Sequence, residues 1–398
     1  MGLRLFASWC ACVSVIVIFD AAEAGASPPP EGGSAPTADD APAASGGGGY
    51  GYDGGFFLRT ADRRYSMKVN GFAQLLYTGT IVEGDYANTF DLGLGRLAFS
   101  GEVFDPSLSY FFQIEGSTFG DHNGIGMLDW WMRYSVSPYL YVLAGRHILP
   151  YSRQFYTHPG NLLFADLSSA DYAFNMPRVI GAQIGGSAGP VTYDVFVNNS
   201  VLALDNSTQH NRGEGIAAGA RLEVAILEPY GYMESVPSGD APASLSVGVA
   251  AAYNEVAEDS GFQNVAKGDD TLNVTADAGF RFKRLSLQGA FYQRRKLNNE
   301  EGNNIGYYGQ AGCVLLPDHV ELTARYSGVH FDSRIPQADG AAALGAPGSP
   351  TEITGGLNLY LFGHVAKLQL DYTFVKTDLF EGGDSTAHRF RVQSQVLF

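Results

Sequence analysis

The feature that most constrains the fold is a two-residue alternation of apolar and polar side chains, repeated in segments of about ten residues. In the segment 272–283 the even positions are apolar and the odd positions are mainly polar, and 366–374 follows the same rule. Successive side chains of a β-strand point to opposite faces, so this pattern predicts strands with one apolar and one polar face. Such strands build soluble sandwiches as well as membrane barrels, and the alternation alone does not distinguish the two.

The connections between the strands do distinguish them. We predict sixteen strands between Tyr65 and Phe398, joined by connections that alternate between short and long. Outer-membrane barrels have short turns at one end, long loops at the other and an even number of strands. The sequence therefore predicts an all-β fold, a transmembrane antiparallel β-barrel at residues 58–398. One connection, Glu228–Ala243, is long where a short turn is expected. The predicted long connections are Gly116–Gly126, Ile148–Pro177, Asn199–Gly213, Asn254–Asp270, Leu297–Asn304, Asp332–Pro350 and Thr377–Ala387.

The region before the barrel has the composition of an export signal followed by a tail. Arg4 precedes an apolar run from Leu5 to Phe19, and small residues surround Glu23, which predicts a signal peptide at residues 1–24. An anchoring helix is the alternative, but the run is shorter than the roughly 20 residues that a span needs. Residues 25–57 are rich in Pro, Ala, Gly and Ser and predict a flexible periplasmic tail. Beyond the signal peptide Cys313 is the remaining cysteine, so no intramolecular disulfide is expected.

The carboxyl terminus supports a location in the outer membrane of a Gram-negative bacterium. Phe390, Val392, Val396 and Phe398 fall on one face of the last predicted strand, and the chain ends on the aromatic residue. An aromatic carboxyl terminus resembles the signal by which outer-membrane proteins are recognised for insertion. We therefore expect outer-membrane lipid and, through Phe398, the insertion machinery as partners.

The distribution of charge predicts which solutes the barrel favours. The formal net charge of −16 argues against nucleic acid as a partner. The predicted inward faces nevertheless carry twelve basic and eight acidic side chains, and a lumen with excess arginine favours anions. The alternative is that each arginine pairs with a lumen carboxylate and only holds the wall. The predicted anion contacts on the strands are Lys68, Arg96, Arg133, Arg146, Arg281, Arg294, Arg325, Arg389 and Arg391.

Several stretches resemble the phosphate-selective porin (O/P) family of outer-membrane channels. They are Gly95–Gly101, Val142–Arg153, Asn161–Asp166, Gly181–Gly186 and Glu352–Tyr360. The resemblance implies a sixteen-stranded barrel, a homotrimer, and a third external loop that folds inward and narrows the pore. Ile148–Pro177 is the longest predicted connection and follows the fifth predicted strand, as that loop would. Arg153 and Arg178 are therefore the candidates for anion contacts at the constriction.

These observations predict a porin through which small anions diffuse passively, with phosphate as the best candidate. A general, weakly selective porin is the alternative. No catalytic residue, cofactor or metal is predicted, since the eight histidines lack metal-ligand spacing. The serine of the segment 185–189 matches a hydrolase motif that requires a strand-to-helix turn, but strands are predicted on both sides. An outer-membrane enzyme and a plugged barrel are the rivals from other classes, and a plug would need an interior segment that the sequence does not identify.

Overall fold

The computed structural model describes residues 49–117, 124–176, 178–200, 215–255, 268, 270–297, 302–332, 348–380 and 382–398. The predicted signal peptide and residues 25–48 of the predicted tail lie outside the described residues. So do large parts of the predicted long connections at 199–213, 254–270 and 332–350.

The described residues form one antiparallel sheet that closes on itself. Each strand from β3 to β18 pairs with the next along the chain, and β18 pairs back to β3. These sixteen strands therefore form a closed barrel, which confirms the predicted fold and strand number. The strands are β1 (Gly49–Tyr52), β2 (Phe56–Arg59), β3 (Ser66–Val82), β4 (Asp85–Val103), β5 (Asp105–Ser117), β6 (Gly124–Ser137), β7 (Leu140–Ile148), β8 (Arg178–Ala188), β9 (Val191–Asn199), β10 (Ile216–Ala225), β11 (Ala241–Asn254), β12 (Thr271–Lys283), β13 (Leu285–Lys296), β14 (Asn303–Leu316), β15 (Val320–His330), β16 (Gly348–Phe362), β17 (Ala366–Leu379) and β18 (Asp384–Leu397).

The hairpin of β1 and β2 extends the wall beside the carboxyl terminus. β18 pairs with β3 from Phe72 onward, and β2 pairs with the preceding residues of β3, from Ser66 to Val69. Phe398 completes the edge, since its amide and carbonyl bond to Gly71 at 2.9 and 2.8 Å. The hairpin begins at Gly49, ahead of the predicted barrel boundary at residue 58.

The two faces of the barrel differ as the alternation predicts. On β12 the side chains of Leu272 and Val274 are 39% and 36% exposed, whereas Asn273 and Thr275 are 2% and 0% exposed. The exposed face is apolar and points outward, toward lipid in a membrane-spanning barrel, and the polar face points into the lumen. Large outward side chains include Leu75, Trp130, Met132, Tyr134, Val142, Ile184, Val195, Leu222, Val249, Leu287, Phe291, Leu322, Ile353 and Phe390.

The antiparallel order places alternate connections at opposite ends. Connections that follow β4, β6, β8 and the later even strands lie at one end, called here the turn end, and the others lie at the loop end. Most turn-end connections have one to three residues, but residues 226–240 between β10 and β11 form a long one, as the sequence indicates. The prediction of a long loop at Thr377–Ala387 is wrong, because β17 and β18 continue to Leu379 and from Asp384. The motif at 185–189 lies at the β8–β9 hairpin, as predicted.

The described helices are short and lie between β7 and β8. They are α1 (Arg153–Tyr156), a 3₁₀ turn at Pro159–Asn161 and α2 (Ser169–Phe174). Serine side chains cap both α-helices, since Ser152 accepts from the amide of Phe155 and Ser168 from that of Asp171. Within the described part of the chain, no helix has the length and apolar character to cross a membrane.

The wall also depends on a close approach at Gly186 of β8. A Cβ atom added here would collide with the backbone carbonyl of Tyr139, which also accepts a bond from the Tyr193 hydroxyl at 2.9 Å.

We predict that Gly186→Ala lowers the free energy of unfolding by about 1–3 kcal/mol, the usual cost of overpacking. Gly355→Ala is the control, because a Cβ there meets no atom within 4 Å. Urea titration of the refolded barrel measures both, and equal midpoints would contradict the prediction.

Candidate functional site

Residues 149–176, called here segment 149–176, contact the inner face of many strands. Helix α2 lies against β13–β16, where the Ala170 amide donates to Ser327 Oγ at 3.0 Å. Arg294 of β13 donates to the carbonyls of Ala173 and Phe174 at 3.1 and 3.4 Å. Further along, lumen side chains bond to the segment's carbonyls. These bonds are Lys367 Nζ to Leu162 O at 2.7 Å, Asn358 Nδ2 to Leu163 O at 3.0 Å, Arg325 Nη1 to Asp166 O at 2.7 Å and Gln395 Nε2 to Gly160 O at 3.0 Å.

A group of four charges fixes the start of this segment to β10 and β12. Arg153 Nε donates to Asp277 Oδ1 at 2.7 Å, and Arg153 Nη2 lies 2.9 Å from Glu223 Oε2. Arg221 donates to both Asp277 oxygens at 2.7 and 3.0 Å and to the carbonyl of Tyr151 at 3.0 Å. Three of the four charged side chains are 0–3% exposed, and Glu223 is 13% exposed. Two cations and two anions thus balance each other inside the barrel, which offsets the cost of burying them.

Residues 226–240, called here segment 226–240, contact the inner face from the turn end. Arg281 of β12 donates to the carbonyls of Tyr230 and Met233. Ser235 Oγ donates to Glu321 Oε1 of β15 at 2.6 Å. Sequence reasoning did not identify this segment as part of the lumen. The available signal was the length of the connection at a position where short turns are expected.

The two segments enter from opposite ends and contact each other. Glu234 is at the centre of the junction and is 1% exposed. Its Oε2 accepts from the Leu163 amide at 2.7 Å, and its own amide donates to Asn161 O at 3.2 Å. The rings of Tyr156 and Tyr232 lie 4.9 Å apart beside it. Further bonds are Gln154 Nε2 to Glu234 Oε1 at 3.3 Å, Gln288 Nε2 to Glu234 Oε1 at 3.1 Å and Arg153 Nη1 to Gly231 O at 3.1 Å.

Most of the predicted anion contacts make bonds within the lumen. Arg281, Arg294 and Arg325 donate to backbone carbonyls of the two segments, as described above. Arg153 and four others pair with carboxylates, which is the role that the sequence analysis gave as the alternative. The four pairs are Arg96–Glu115 at 2.5 Å, Arg178–Asp129 at 3.0 Å, Arg389–Glu352 at 3.3 Å and Arg391–Asp371 at 2.9 Å.

Three predicted contacts have other surroundings. The Arg133 guanidinium lies 3.9 Å from the ring centroid of Tyr141 and is partly exposed. Lys68 is partly exposed near the beginning of β3, at the turn end. Arg146 is 3% exposed and pairs in the β6–β7 ladder with Trp130, whose side chain faces outward, so the register alone does not assign Arg146 to the lumen.

The interior keeps a small excess of positive charge. Among the described residues, eleven basic and nine acidic side chains are buried, an excess of two. The sequence analysis predicts an excess of four on the strand faces. The two segments reduce it, because they add the carboxylates of Asp166, Asp171 and Glu234 and one buried arginine, Arg153. Within the described ranges, no three His, Cys, Asp or Glu side chains come together in a way that could hold a metal ion.

Comparison with known proteins identifies the fold. No protein-family model matches the chain, and no curated protein matches it. The anion-selective porin from Comamonas acidovorans is similar with a TM-score of 0.56 and 16% identity, over 84% of this chain and 100% of that one. The outer membrane channel DcaP of Acinetobacter baumannii has a TM-score of 0.54 and 15% identity, over 84% and 97%. A trimer form of OmpT from Vibrio cholerae has a TM-score of 0.51 and 11% identity, over 83% and 99%.

These similarities and the geometry agree on one architecture. The matched structures are outer-membrane proteins, and each match covers nearly the whole of the solved chain. The chain likewise forms a closed barrel of sixteen strands with an apolar outer face and a polar lumen. Its fold is therefore that of the transmembrane porins of Gram-negative outer membranes, whereas membership of the phosphate-selective family is not confirmed.

The four-charge group provides a direct test of how segment 149–176 is held. Asp277→Ala would leave Arg153 and Arg221 buried with Glu223 as their remaining ionic partner in this group. We predict a loss of about 3–5 kcal/mol in the free energy of unfolding, since removal of one partner leaves a buried charge without full compensation. Asp378→Ala is the control, because the Asp378 side chain is 67% exposed. Equal urea midpoints for the two variants would show that the group does not stabilise the barrel.

Proposed function

We propose that the chain is an outer-membrane porin through which small anions diffuse passively, with phosphate as the best candidate. The observation that carries the proposal is the excess of buried basic side chains inside a closed barrel. A lumen with this excess stabilises a partly dehydrated anion and repels cations. The eleven predicted basic residues remain the proposed source of the lumen's positive potential, with those that face the passage as direct contacts, and no catalytic residue, cofactor or metal takes part.

The barrel wall and segment 149–176 have separate roles in this proposal. Sixteen strands enclose a space that is too wide for wall side chains to fill. Segment 149–176 occupies part of that space and corresponds to the third external loop, with the loop end outside the cell and the turn end in the periplasm. The bonds from Lys367, Asn358 and Arg325 to its carbonyls hold it in place. The segment would therefore set the size of solute that passes.

Arg133 is the best placed of the proposed contacts. Tyr141 supports its guanidinium from one side, and its partial exposure leaves it available to a solute. Arg96 and Arg178 each bond to one carboxylate, so an incoming anion competes with an existing partner. Weak binding of this kind suits a channel, in which a solute must leave as readily as it enters.

A general porin with weak ion preference is the second candidate. The ion pairs of Arg96, Arg178 and Arg391 favour it, because a paired arginine attracts a passing anion less than a free one. The small net excess of two charges favours it as well. The two candidates differ in the sign and size of the ion preference.

The remaining proposals concern assembly and export. We propose a homotrimer, as in the trimer form of the similar Vibrio cholerae protein. Residues 1–24 would direct export, the predicted tail at residues 25–57 would lie in the periplasm and include the β1–β2 hairpin that begins at Gly49, and Phe398 would be recognised by the insertion machinery. Outer-membrane lipid would cover the apolar outer face.

The ion preference is measured by the reversal potential of purified protein in a planar bilayer under a potassium chloride gradient. An anion-selective porin gives a reversal potential that is shifted from zero toward the Nernst potential of chloride. Addition of phosphate then reduces the chloride current. A reversal potential near zero supports the general porin. A folded protein that does not conduct would overturn both candidates.

Arg133→Gln tests the lining of the lumen. A unit charge about 4 Å from a passing ion contributes about 1 kcal/mol in water, so its loss lowers the anion-to-cation permeability ratio by roughly fivefold. Arg295→Gln is the matched control, since Arg295 is exposed and pairs with the outward-facing Leu272. If both variants keep the permeability ratio of the unmodified protein, Arg133 does not line the passage.

A further inference from the structure

Segment 226–240 differs from the other connections at its end of the barrel. The β4–β5 and β12–β13 connections there consist of the single residues Phe104 and Arg284. The ladder between β10 and β11 ends at Ala225 and Ser246, and the first residues of β11 pair with β12 alone, so a short turn would close this hairpin. The additional residues are ordered and buried in part, with Tyr230 and Glu234 each 1% exposed. The chain therefore places a structured element inside the barrel where closure of the sheet does not require one.

Bonds to several separate strands hold this element in the lumen. Arg281 of β12 binds two of its carbonyls, and Glu321 of β15 accepts from Ser235. The Pro237 carbonyl accepts from the Asp318 amide at 2.7 Å, and His364 Nε2 lies 3.0 Å from the Ser235 carbonyl. Anchors on β12, on β15 and in two turns fix its position across this side of the barrel.

Segment 226–240 is joined to segment 149–176 through the side chain of Glu234. Glu234 binds the Leu163 amide with one carboxylate oxygen and the amides of Gln154 and Gln288 with the other. Gln288 belongs to the β13 wall, so this carboxylate joins both segments and the wall. A movement of either segment would break bonds made by the other.

The contacts of the two segments also indicate where a passage runs. The bonds of segment 149–176 go to strands from β10 to β18, and His158 contacts Phe72 of β3 at 4.8 Å between ring centroids. Its apolar side chains also pack in clusters that include Val179 of β8, Phe196 of β9 and Leu94 of β4. Segment 226–240 contacts β11, β12, β13, β15 and the neighbouring turns. A separate cluster on the inner face, which includes Phe111 of β5 and Trp131 of β6, contains no described residue of either segment, and the partly exposed Arg133 of β6 lies over Tyr141 of the same cluster.

We propose that segment 226–240 is a second constriction element, and that Glu234 locks it to segment 149–176 so that the two together bound one passage beside the inner face of β5 and β6. The size limit of the channel is then set from both ends of the barrel. This inference rests on the proposed porin function and adds to it the element that limits solute size from the periplasmic side.

The test compares three variants with the unmodified protein. In the first, Asn-Gly replaces residues 229–242, which joins Glu228 to Ala243 by a two-residue hairpin turn in the register of the Ala225–Ser246 pair. In the second, Glu234→Ala removes the acceptor at the junction, and Glu234→Gln keeps one acceptor oxygen. Glu228→Ala is the matched control, because Glu228 belongs to the same segment and is exposed. Heat-dependent mobility in detergent gels first shows which variants are folded.

Single-channel conductance and the size of polyethylene glycol that blocks or enters the pore are then measured. We expect the single-channel conductance of the shortened variant to be at least roughly twofold higher than that of the unmodified protein, because a wider passage holds more ions. The variant should also admit larger polymers. Glu234→Ala should give an intermediate increase, Glu234→Gln a smaller one, and Glu228→Ala none. An unmodified protein that conducts, together with a folded shortened variant of equal conductance and equal polymer limit, would overturn this inference alone.

Folded proteins that show no conductance, called silent here, are equally informative. If the unmodified protein is silent and the folded shortened variant conducts, the segment closes the lumen, which supports its position and contradicts passive diffusion in the unmodified protein. If both folded proteins are silent, the porin function and this inference fail together.

Discussion

Closure of the hydrogen-bond ladder between β18 and β3 is the constraint on which the rest of the structure depends. In lipid every backbone amide and carbonyl needs an internal partner, and a sheet meets that need only when it has no free edge. Closure also fixes the register, and the register decides which side chain of each alternating pair faces the lumen. The Phe398–Gly71 bonds and the β1–β2 hairpin complete the β3 edge at the turn end. The polar interior is thus a direct consequence of the closed sheet.

A wall of sixteen strands leaves open space inside the barrel, and the two segments occupy part of it. The lumen is wide, and the polar groups of any chain that enters it must be bonded. Charged wall residues supply those bonds, as Arg325 and Lys367 do for segment 149–176 and Arg281 does for segment 226–240. The same arginines that give the lumen its positive excess therefore also position its contents. In the proposed channel, selectivity and architecture would depend on one set of side chains. The lumen excess is smaller than the wall alone would give because the two segments add buried carboxylates.

The sequence predicted the parts of this structure that depend on local pattern. The two-residue period predicted the outward position of Leu272 and the inward position of Asp277, because strand faces follow from neighbouring residues. It could not predict that Asp277 binds Arg153, 124 positions away, since no local pattern encodes that pairing. Segment 226–240 was noticeable by its length, but its contact with Leu163 depends on the packing of another connection. Arg146 shows a further limit: the ladder pairs it with Trp130, and face assignment by alternation alone is insufficient there.

The central claim is that anions occupy a passage beside the inner face of β5 and β6, bounded on the other side by the two segments. Crystals of the protein soaked in bromide test it most directly, because anomalous scattering locates each bound anion. The account predicts bromide sites inside the barrel, beside Arg133 and on the side of the lumen away from Glu234. Bromide found only outside the barrel, or only between the two segments and the β10–β18 wall, would contradict it.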